Sequence, residues 1–394
     1  MSEPKIVMVA GEASGDLLGG ELLSALRARF PRLDAWGVGG VRMRSAGLQG
    51  RFDVNDLAVV GLVEVVRHFP RLWRVFFYLV RLLEVERPRL LITIDLPDFN
   101  FLLARRAKAL GIPVVHYVSP QVWAWRRGRV NRIARLLDHL LVLFPFEPAI
   151  YAQTSLPVTF VGHPLTHLAV VAPGTREAVR RSLEMAPGEQ LVVLLPGSRR
   201  GELRQLLAPL LATCRELSRR LPQVRFALAL ADTLSREDLD RCWPTGLTGH
   251  DALPQIMVLR GETYELLSAA DAALVASGTA TLEAALLGTP MVVVYRVNRL
   301  TYEIGRRLIQ VPFISLANLV AGHALVTERI QGELVPERLA QDLERLLTDA
   351  EAVAMMRSGF AAVREKLSHP LRQPVDVVSD FLTETTDDGG SRPI

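Results

Sequence analysis

The sequence predicts an α/β protein built from two doubly wound domains facing a cleft. Short apolar runs of strand length alternate with stretches of helical period, the pattern of parallel strands joined by crossover helices. A polar stretch, Ala172-Pro173-Gly174-Thr175, interrupts this pattern, and the same grammar restarts after it. Several apolar runs end directly on Gly, Ser, Asp or Asn, the residues of turns at the carboxyl ends of strands, where such sheets hold ligands.

In the first half, strands are expected at Ile6 to Ala10, Leu90 to Ile94, Val114 to Val118, Leu140 to Leu143 and Thr159 to Val161, with helices such as Leu17 to Phe30 and Phe101 to Leu110 between them. In the second half they fall at Leu191 to Leu195, Phe226 to Ala231, Ile256 to Leu259, Ala273 to Val275 and Val292 to Tyr295. This gives domains over 1–170 and 171–356, a helical segment over 357–383 and a polar, Gly-rich tail over 384–394 expected to be disordered. The helical region Val335 to Leu367 has two readings: it crosses back to the first domain, or it reaches a second subunit and makes a homodimer.

The 394 residues suffice for two domains, and with 49% hydrophobic and 22% charged residues global disorder is excluded. The pI is about 9.3 but the net charge only +4, a mild basic bias. Two cysteines, Cys214 and Cys242, stand apart without CxxC or neighbouring histidines, which argues against a disulfide scaffold or a zinc site and fits a reducing compartment. Met1-Ser2-Glu3-Pro4-Lys5 runs straight into the first strand with no visible signal peptide, and no run of 18 apolar residues suggests a spanning helix.

The most informative stretch is Ser277-Gly278-Thr279-Ala280-Thr281-Leu282-Glu283, between two apolar runs. A small-residue turn opening a helix presents free N–H groups at the positive end of the helix dipole, which suits a phosphate, and Glu283 one turn later can accept hydrogen bonds from a ribose diol. Leu195-Pro196-Gly197-Ser198-Arg199-Arg200-Gly201-Glu202 follows another strand, and Arg199 can fork onto a diphosphate, with Glu202 beside it as a further ligand. Asn318, polar in an apolar stretch, can read a base or sugar edge; its plainer reading is an Asx-turn. No Asp-x-Asp pair lies near, so the helix terminus and Arg199 are expected to carry a leaving diphosphate without a metal or other cofactor.

Three first-half strands also end on polar motifs. Gly11-Glu12-Ala13-Ser14-Gly15-Asp16 groups Glu12, Ser14 and Asp16 at one strand end, with glycines permitting a tight turn and close ligand approach; the alternative is a plain turn with a helix cap. Asp95 and Asp98 in Ile94-Asp95-Leu96-Pro97-Asp98-Phe99-Asn100 can divide acid–base work, or Asp98 and Asn100 can simply cap a helix. Trp123, Trp125 and Arg126 after Ser119-Pro120 suit a sugar or a phosphorylated apolar ligand, and the aromatic–basic interleaving is too local for nucleic acid. His163 reads equally as a ligand contact or a hydrogen-bonded hinge residue.

Leu57 to Glu86 stands apart. Arg67, Arg71, Arg74 and Arg81 align on one helical stripe, while Trp73, Phe76, Phe77 and many aliphatics make the other face. A basic stripe beside a broad apolar face suits an anionic bilayer surface or an acylated ligand, and Pro70 starts or kinks the helix; the alternative is a core helix whose arginines face water.

In this order, Gly11 to Asp16, Ile94 to Asn100, His116 to Arg126, Phe160 to Pro164, Leu194 to Arg199, Ala276 to Glu283, Pro290 to Arg296 and Ser315 to Gly322 resemble the lipid-A-disaccharide synthase family. The ordered set spans most of the chain and is specific where each motif alone is weak. The resemblance implies two Rossmann-like domains of glycosyltransferase B type. It implies a metal-independent, inverting transfer from UDP-2,3-diacylglucosamine to 2,3-diacylglucosamine 1-phosphate, giving a β-1,6-linked disaccharide 1-phosphate and UDP at the cytoplasmic face of the inner membrane. By the same resemblance Asp98 is the base for the acceptor 6-hydroxyl, with Asp95 and Glu12 as alternatives or support, and Arg199, Ser277, Gly278, Thr279, Glu283 and Asn318 bind UDP. Pro164 carries little weight, since the family varies after Gly162-His163, and the tail after Thr383 has no dependable counterpart. Other readings are a UDP-N-acetylglucosamine 2-epimerase, a peptidoglycan-precursor transferase, or a non-catalytic nucleotide-sensing or peripheral membrane protein.

Overall fold

The computed structural model describes residues 4–57, 62–122, 127–168, 174–244, 252–308 and 311–383. The chain forms two compact units. One takes the residues up to His163 and again from His369; the other takes Pro164–Ser368. The linker expected at 172–175 thus lies inside the second unit and partly outside the described residues; the tail over 384–394 lies wholly outside them.

The first unit is a seven-stranded sheet of β1 (Lys5–Ala10), β2 (Asp34–Val38), β3 (Gln49–Phe52), β4 (Leu90–Ile94), β5 (Val114–Tyr117), β6 (His139–Val142) and β7 (Val158–Phe160). Their order is β3-β2-β1-β4-β5-β6-β7, and every neighbouring pair is parallel. β4 is buried along its whole length, as a central strand covered on both faces must be, which is why it reads as an unbroken apolar run. The helix Ala13–Arg29 covers one face through Leu18, Leu22, Leu23 and Leu26. The helices Leu62–Glu86 and Pro97–Ala109 cover the other through Val75, Phe76, Leu79, Leu83, Leu103, Ala104 and Ala107. Pro70 lies inside the helix Leu62–Glu86, not at its start.

The second unit is a six-stranded parallel sheet of β8 (Gln190–Leu195), β9 (Val224–Leu230), β10 (Ile256–Arg260), β11 (Ala272–Ala276), β12 (Met291–Tyr295) and β13 (Thr327–Ile330), in the order β10-β9-β8-β11-β12-β13. The long helix Arg200–Arg220 buries Leu203, Leu206, Leu207, Leu210, Leu211, Cys214 and Leu217 against one face, a spacing of three and four that keeps them on one stripe. The helix Ala350–Ser368 belongs to this unit, whereas Pro374–Thr383 packs Val377, Val378 and Leu382 on the first unit's core. Arg29 pairs with Asp376 at 2.8 Å, and Arg89 Nε donates to the Phe381 carbonyl at 3.1 Å.

Each sheet has one place where crossovers change direction: between β1 and β4 in the first, between β8 and β11 in the second. Ligands of doubly wound sheets bind outside the carboxyl ends of the strands at such points.

Asp271 ties the helix Thr175–Ser182 to the start of β8: its carboxylate takes Arg176 at 2.6 Å, Arg180 at 3.0 Å and the Leu191 N–H at 2.7 Å. Asp271→Ala is expected to lower stability in urea titration by about 2 kcal/mol; an unchanged midpoint would show these links to be idle.

Candidate active site

At the first sheet's switch point β1 ends at Ala10, and Gly11 lies buried behind it. Glu12 is the exposed cap residue of the helix Ala13–Arg29, and Ser14 is exposed in its first turn. Asp16, expected to touch substrate, is only 6% exposed. Its carboxylate accepts the N–H groups of Gly40 at 2.7 Å, Arg42 at 2.9 Å and Met43 at 3.0 Å, so it caps the short helix Val41–Ser45 and holds the loop after β2.

Beside it, β4 runs into a turn in which two successive residues with side chains adopt left-handed backbone: Asp95 at φ 53° and Leu96 at φ 44°. Pro97 then opens the helix Pro97–Ala109 with its φ already helical. Asp98 stands in the first turn with its side chain 78% exposed and pairs with Arg129 Nη2 at 2.9 Å. Asp95 is largely withdrawn from water, and this desolvation raises its carboxyl pKa against a smaller lowering by the Leu96 N–H. Asn100 is fully buried and donates through Nδ2 to the carbonyls of Asp95 at 2.7 Å and Ile94 at 3.3 Å.

β5 ends in the same manner. Val118, β-branched, sits at φ 77°, a conformation such residues seldom adopt unless the surroundings impose it. Its N–H donates to the Leu141 carbonyl at 2.9 Å. Behind it His116 is fully buried, its Nδ1 2.7 Å from the Thr93 hydroxyl, and desolvation pushes its pKa down to about 3, so it is neutral at ordinary pH. His163, the other histidine singled out, is also buried, and desolvation pushes its pKa down to about 4. Trp123, Trp125 and Arg126 lie outside the described residues.

The helix Leu62–Glu86 borders this turn. Phe76, expected to meet acyl chains, is instead 7% exposed and packs edge-to-face on Phe99 with ring centroids 6.0 Å apart. Trp73 and Phe77 do face solvent, 39% and 61% exposed, and stack on each other at 5.4 Å. Arg74 is exposed, whereas Arg71 Nε donates to Asp56 at 2.6 Å; the Arg67 side chain lies outside the described residues. Among the described residues no helix is long and apolar enough to cross a membrane.

In the second sheet, the turn after β8 is fixed by Glu202. Its carboxylate accepts the N–H groups of Ser198 at 3.0 Å and Arg199 at 3.3 Å. Glu202, expected as a ligand, is thus engaged with backbone, and the Arg199 side chain beside it is 84% exposed. After β11, Gly278 adopts φ 156° and ψ −159°, a region open in practice to glycine alone, and an added Cβ would meet open space. The glycine is therefore there for the backbone turn. Ser277 donates to the Ile314 carbonyl at 2.8 Å, and the helix Thr279–Leu286 starts immediately after. The Thr281 N–H donates to the carbonyl of the cap residue Gly278 at 3.1 Å, whereas the N–H groups of Thr279 and Ala280 have no acceptor within the helix. Glu283 is mostly desolvated, which raises its pKa, and the Tyr264 hydroxyl that donates to it offsets part of this. Tyr295 at the end of β12 is raised first by desolvation, then by the Glu202 carboxylate, against the Arg199 guanidinium, so it stands beside the β8 turn.

Asn318, expected to read a base or sugar edge, is fully buried and spent on its own loop. Nδ2 donates to Val326 O at 3.0 Å and Glu328 at 2.8 Å, and Oδ1 accepts the N–H groups of Leu325 and Val326, both at 2.8 Å. Glu328, which the sequence did not single out, also accepts the N–H groups of Ile314 and Ser315 at 3.0 and 2.9 Å. Together with the Leu316 N–H on Thr281 Oγ1 at 3.2 Å, these bonds stitch the loop before Ser315 to the phosphate-type turn. A Glu on an edge strand with alternating polarity gives no sign of this in one dimension.

A family model described as lipid-A-disaccharide synthetase matches residues 6–372. A lipid-A-disaccharide synthase of Trichlorobacter lovleyi is 45% identical over 93% of this chain and 94% of its own length, and one of Geobacter metallireducens is 43% identical over 92% and 93%. Among solved structures, the kitacinnamycin glycotransferase superposes with a TM-score of 0.60 at 17% identity, over 97% of this chain and all of that one. A UDP-GlcNAc 2-epimerase from Neisseria meningitidis bound to UDP-GlcNAc gives 0.58 at 12%, over 96% and 99%. At such identities these two speak for the fold alone: paired Rossmann-like sheets of the glycosyltransferase B class. The sequence relatives go further, and the chain belongs to the lipid-A-disaccharide synthetase family.

Proposed function

We propose that the protein transfers the sugar of UDP-2,3-diacylglucosamine to the 6-hydroxyl of 2,3-diacylglucosamine 1-phosphate, releasing UDP and the β-1,6-linked disaccharide 1-phosphate. The observation that carries this reading is the coincidence of family membership with the placement of the motif-bearing turns at the switch points of both sheets.

In the first unit, Asp98 is the general base. It is exposed on the first turn of a helix whose start is rigidly set, and Arg129 fixes the orientation of its carboxylate. It takes the proton of the 6-hydroxyl as that oxygen attacks the anomeric carbon. The α-linked UDP leaves from the opposite face, so the new linkage is β. Asp95, whose carboxyl pKa desolvation raises, serves as a hydrogen-bonding neighbour, and Glu12 and Ser14 meet the acceptor from β1. In the second unit, the N–H groups opening the helix Thr279–Leu286 and the Arg199 guanidinium receive the diphosphate, and Glu283 accepts from the ribose. Glu202, Glu328 and Asn318 act by holding these turns.

The acylated substrates call for a surface that reaches lipid. Trp73, Phe77 and Arg74 on the exposed side of the helix Leu62–Glu86 are proposed to supply it, resting at the cytoplasmic face of the inner membrane.

Asp98→Ala is expected to lower turnover in mixed micelles by at least about 10²-fold, with UDP affinity retained and wild-type turnover surviving EDTA; a fully active variant would eliminate Asp98 as base. Turnover of non-acylated UDP-sugars in preference to acylated ones would favour the epimerase reading. Arg74→Glu is expected to weaken flotation with anionic liposomes about tenfold and to leave binding to neutral ones unchanged, whereas Trp73→Ser weakens both. Unaltered flotation in both variants would remove this helix as the lipid contact.

A further inference from the structure

We infer that Gly11, Leu96 and Asn100 form a positioning unit that sets where Asp95 and Asp98 stand, and that residue 11 is glycine to make room for Leu96 and not for a ligand.

Three independent features converge on the turn after β4. Asp95 and Leu96 are both left-handed, a conformation that side chains disfavour and that two successive residues adopt only when their surroundings impose it. The imposing contacts are visible. Asn100, fully buried, reaches back through Nδ2 to the carbonyls of Asp95 and Ile94, its own N–H donates to the Leu96 carbonyl at 3.0 Å, and the Asp95 N–H is held by the Tyr117 carbonyl at 2.9 Å. The third feature lies on the neighbouring strand. A Cβ placed on Gly11 would come 2.5 Å from the Leu96 Cβ and 2.7 Å from its Cδ2, distances that real atoms do not tolerate. Gly11 does not itself adopt a left-handed φ, so what requires glycine here is space.

The consequence runs along the chain in both directions. Leu96 precedes Pro97 and Asp98, so the turn sets the origin of the helix that carries the carboxylate. Gly11 precedes Glu12, so the same contact locates the end of β1. A methyl group at residue 11 would push Leu96 off its seat and swing Asp98 with it, and a displacement of about 1 Å suffices to cost about 10²-fold in rate.

The unit rests on the reading of Asp98 as the base, and the test separates the two. Turnover, donor KM, acceptor KM, UDP affinity and thermal midpoint are measured for wild type, Gly11→Ala, Leu96→Gly and the double variant. Gly11→Ala is expected to lose about 10²-fold in kcat with donor KM within about twofold of wild type. The double variant, in which the clashing Cβ of Leu96 is gone and glycine accepts the left-handed turn, is expected to regain about tenfold or more. Asn100→Asp, which sets an acceptor against two carbonyl oxygens, is expected to lower kcat in the same way without changing donor KM. A double variant that is folded and binds UDP yet is no better than Gly11→Ala overturns the proposal, and a raised acceptor KM in both would instead make Gly11 a point of ligand approach. Should Gly11→Ala not fold, recovery of folded, UDP-binding protein in the double supports the proposal and failure to recover it overturns it. Absence of disaccharide product from wild type would sink the functional reading, whereas an active wild type with no recovery sinks only the positioning unit.

Discussion

Hydrogen bonds between buried or half-buried side chains and loop backbone decide the shape of both sheets' working ends. A parallel strand stops pairing at its carboxyl end, and the chain that follows carries N–H and C=O groups that need partners. Asp16 supplies three such bonds after β2, Asn100 two after β4, Glu202 two after β8, and Asn318 with Glu328 fasten the loop beside the turn after β11. Each of these side chains is engaged with loop backbone.

A division of labour follows. The polar groups that remain turned outward at the same strand ends, Asp98, Glu12, Ser14, Arg199 and the N–H groups opening the helix Thr279–Leu286, are the ones we propose to meet substrate. Rigidity beneath and exposure above is what transfer between two bound sugars demands, because a base that wanders forfeits the advantage of orientation. The left-handed backbone at Asp95, Leu96 and Val118 lies at the ends of β4 and β5 and is held there by neighbouring strands and by Asn100.

Much of the fold was legible in the sequence because central parallel strands, buried on both faces, must be apolar throughout. Leu90 to Ile94 was readable to the residue for that reason. The edge strands β3 and β13 and the strand β2 were not, since Gln-Gly-Arg-Phe, Thr-Glu-Arg-Ile and Asp-Ala-Trp-Gly-Val carry polar residues or glycine and show no apolar run. At the site, residue type alone could not show that Asp16, Glu202 and Asn318 hold loop backbone: a carboxylate or amide that caps a loop has the same chemistry as one that grips a sugar, and the backbone N–H groups within 3.3 Å of them come into view only in the fold. The left-handed pair Asp95-Leu96 was invisible, because Leu96 is not Gly, Asn or Asp, the residues that usually signal such a turn. Phe76 and Phe77 are adjacent in sequence, yet one fills the core and the other faces solvent, a difference of 100° around the helix that a count of aromatics does not register.

Asp16, which the sequence presents as a substrate ligand and the fold presents as a cap, is where a carboxylate spent on loop backbone is most directly told apart from one that does chemistry. The measurement is thermal stability and turnover per folded molecule for Asp16→Asn, which keeps the shape but sets an amide against three N–H donors. The expected result is a loss of about 2 kcal/mol in stability with turnover, measured well below the melting transition, within about threefold of wild type, a change of less than about 1 kcal/mol in barrier. An unchanged melting point with turnover collapsed would contradict it and return Asp16 to the substrate.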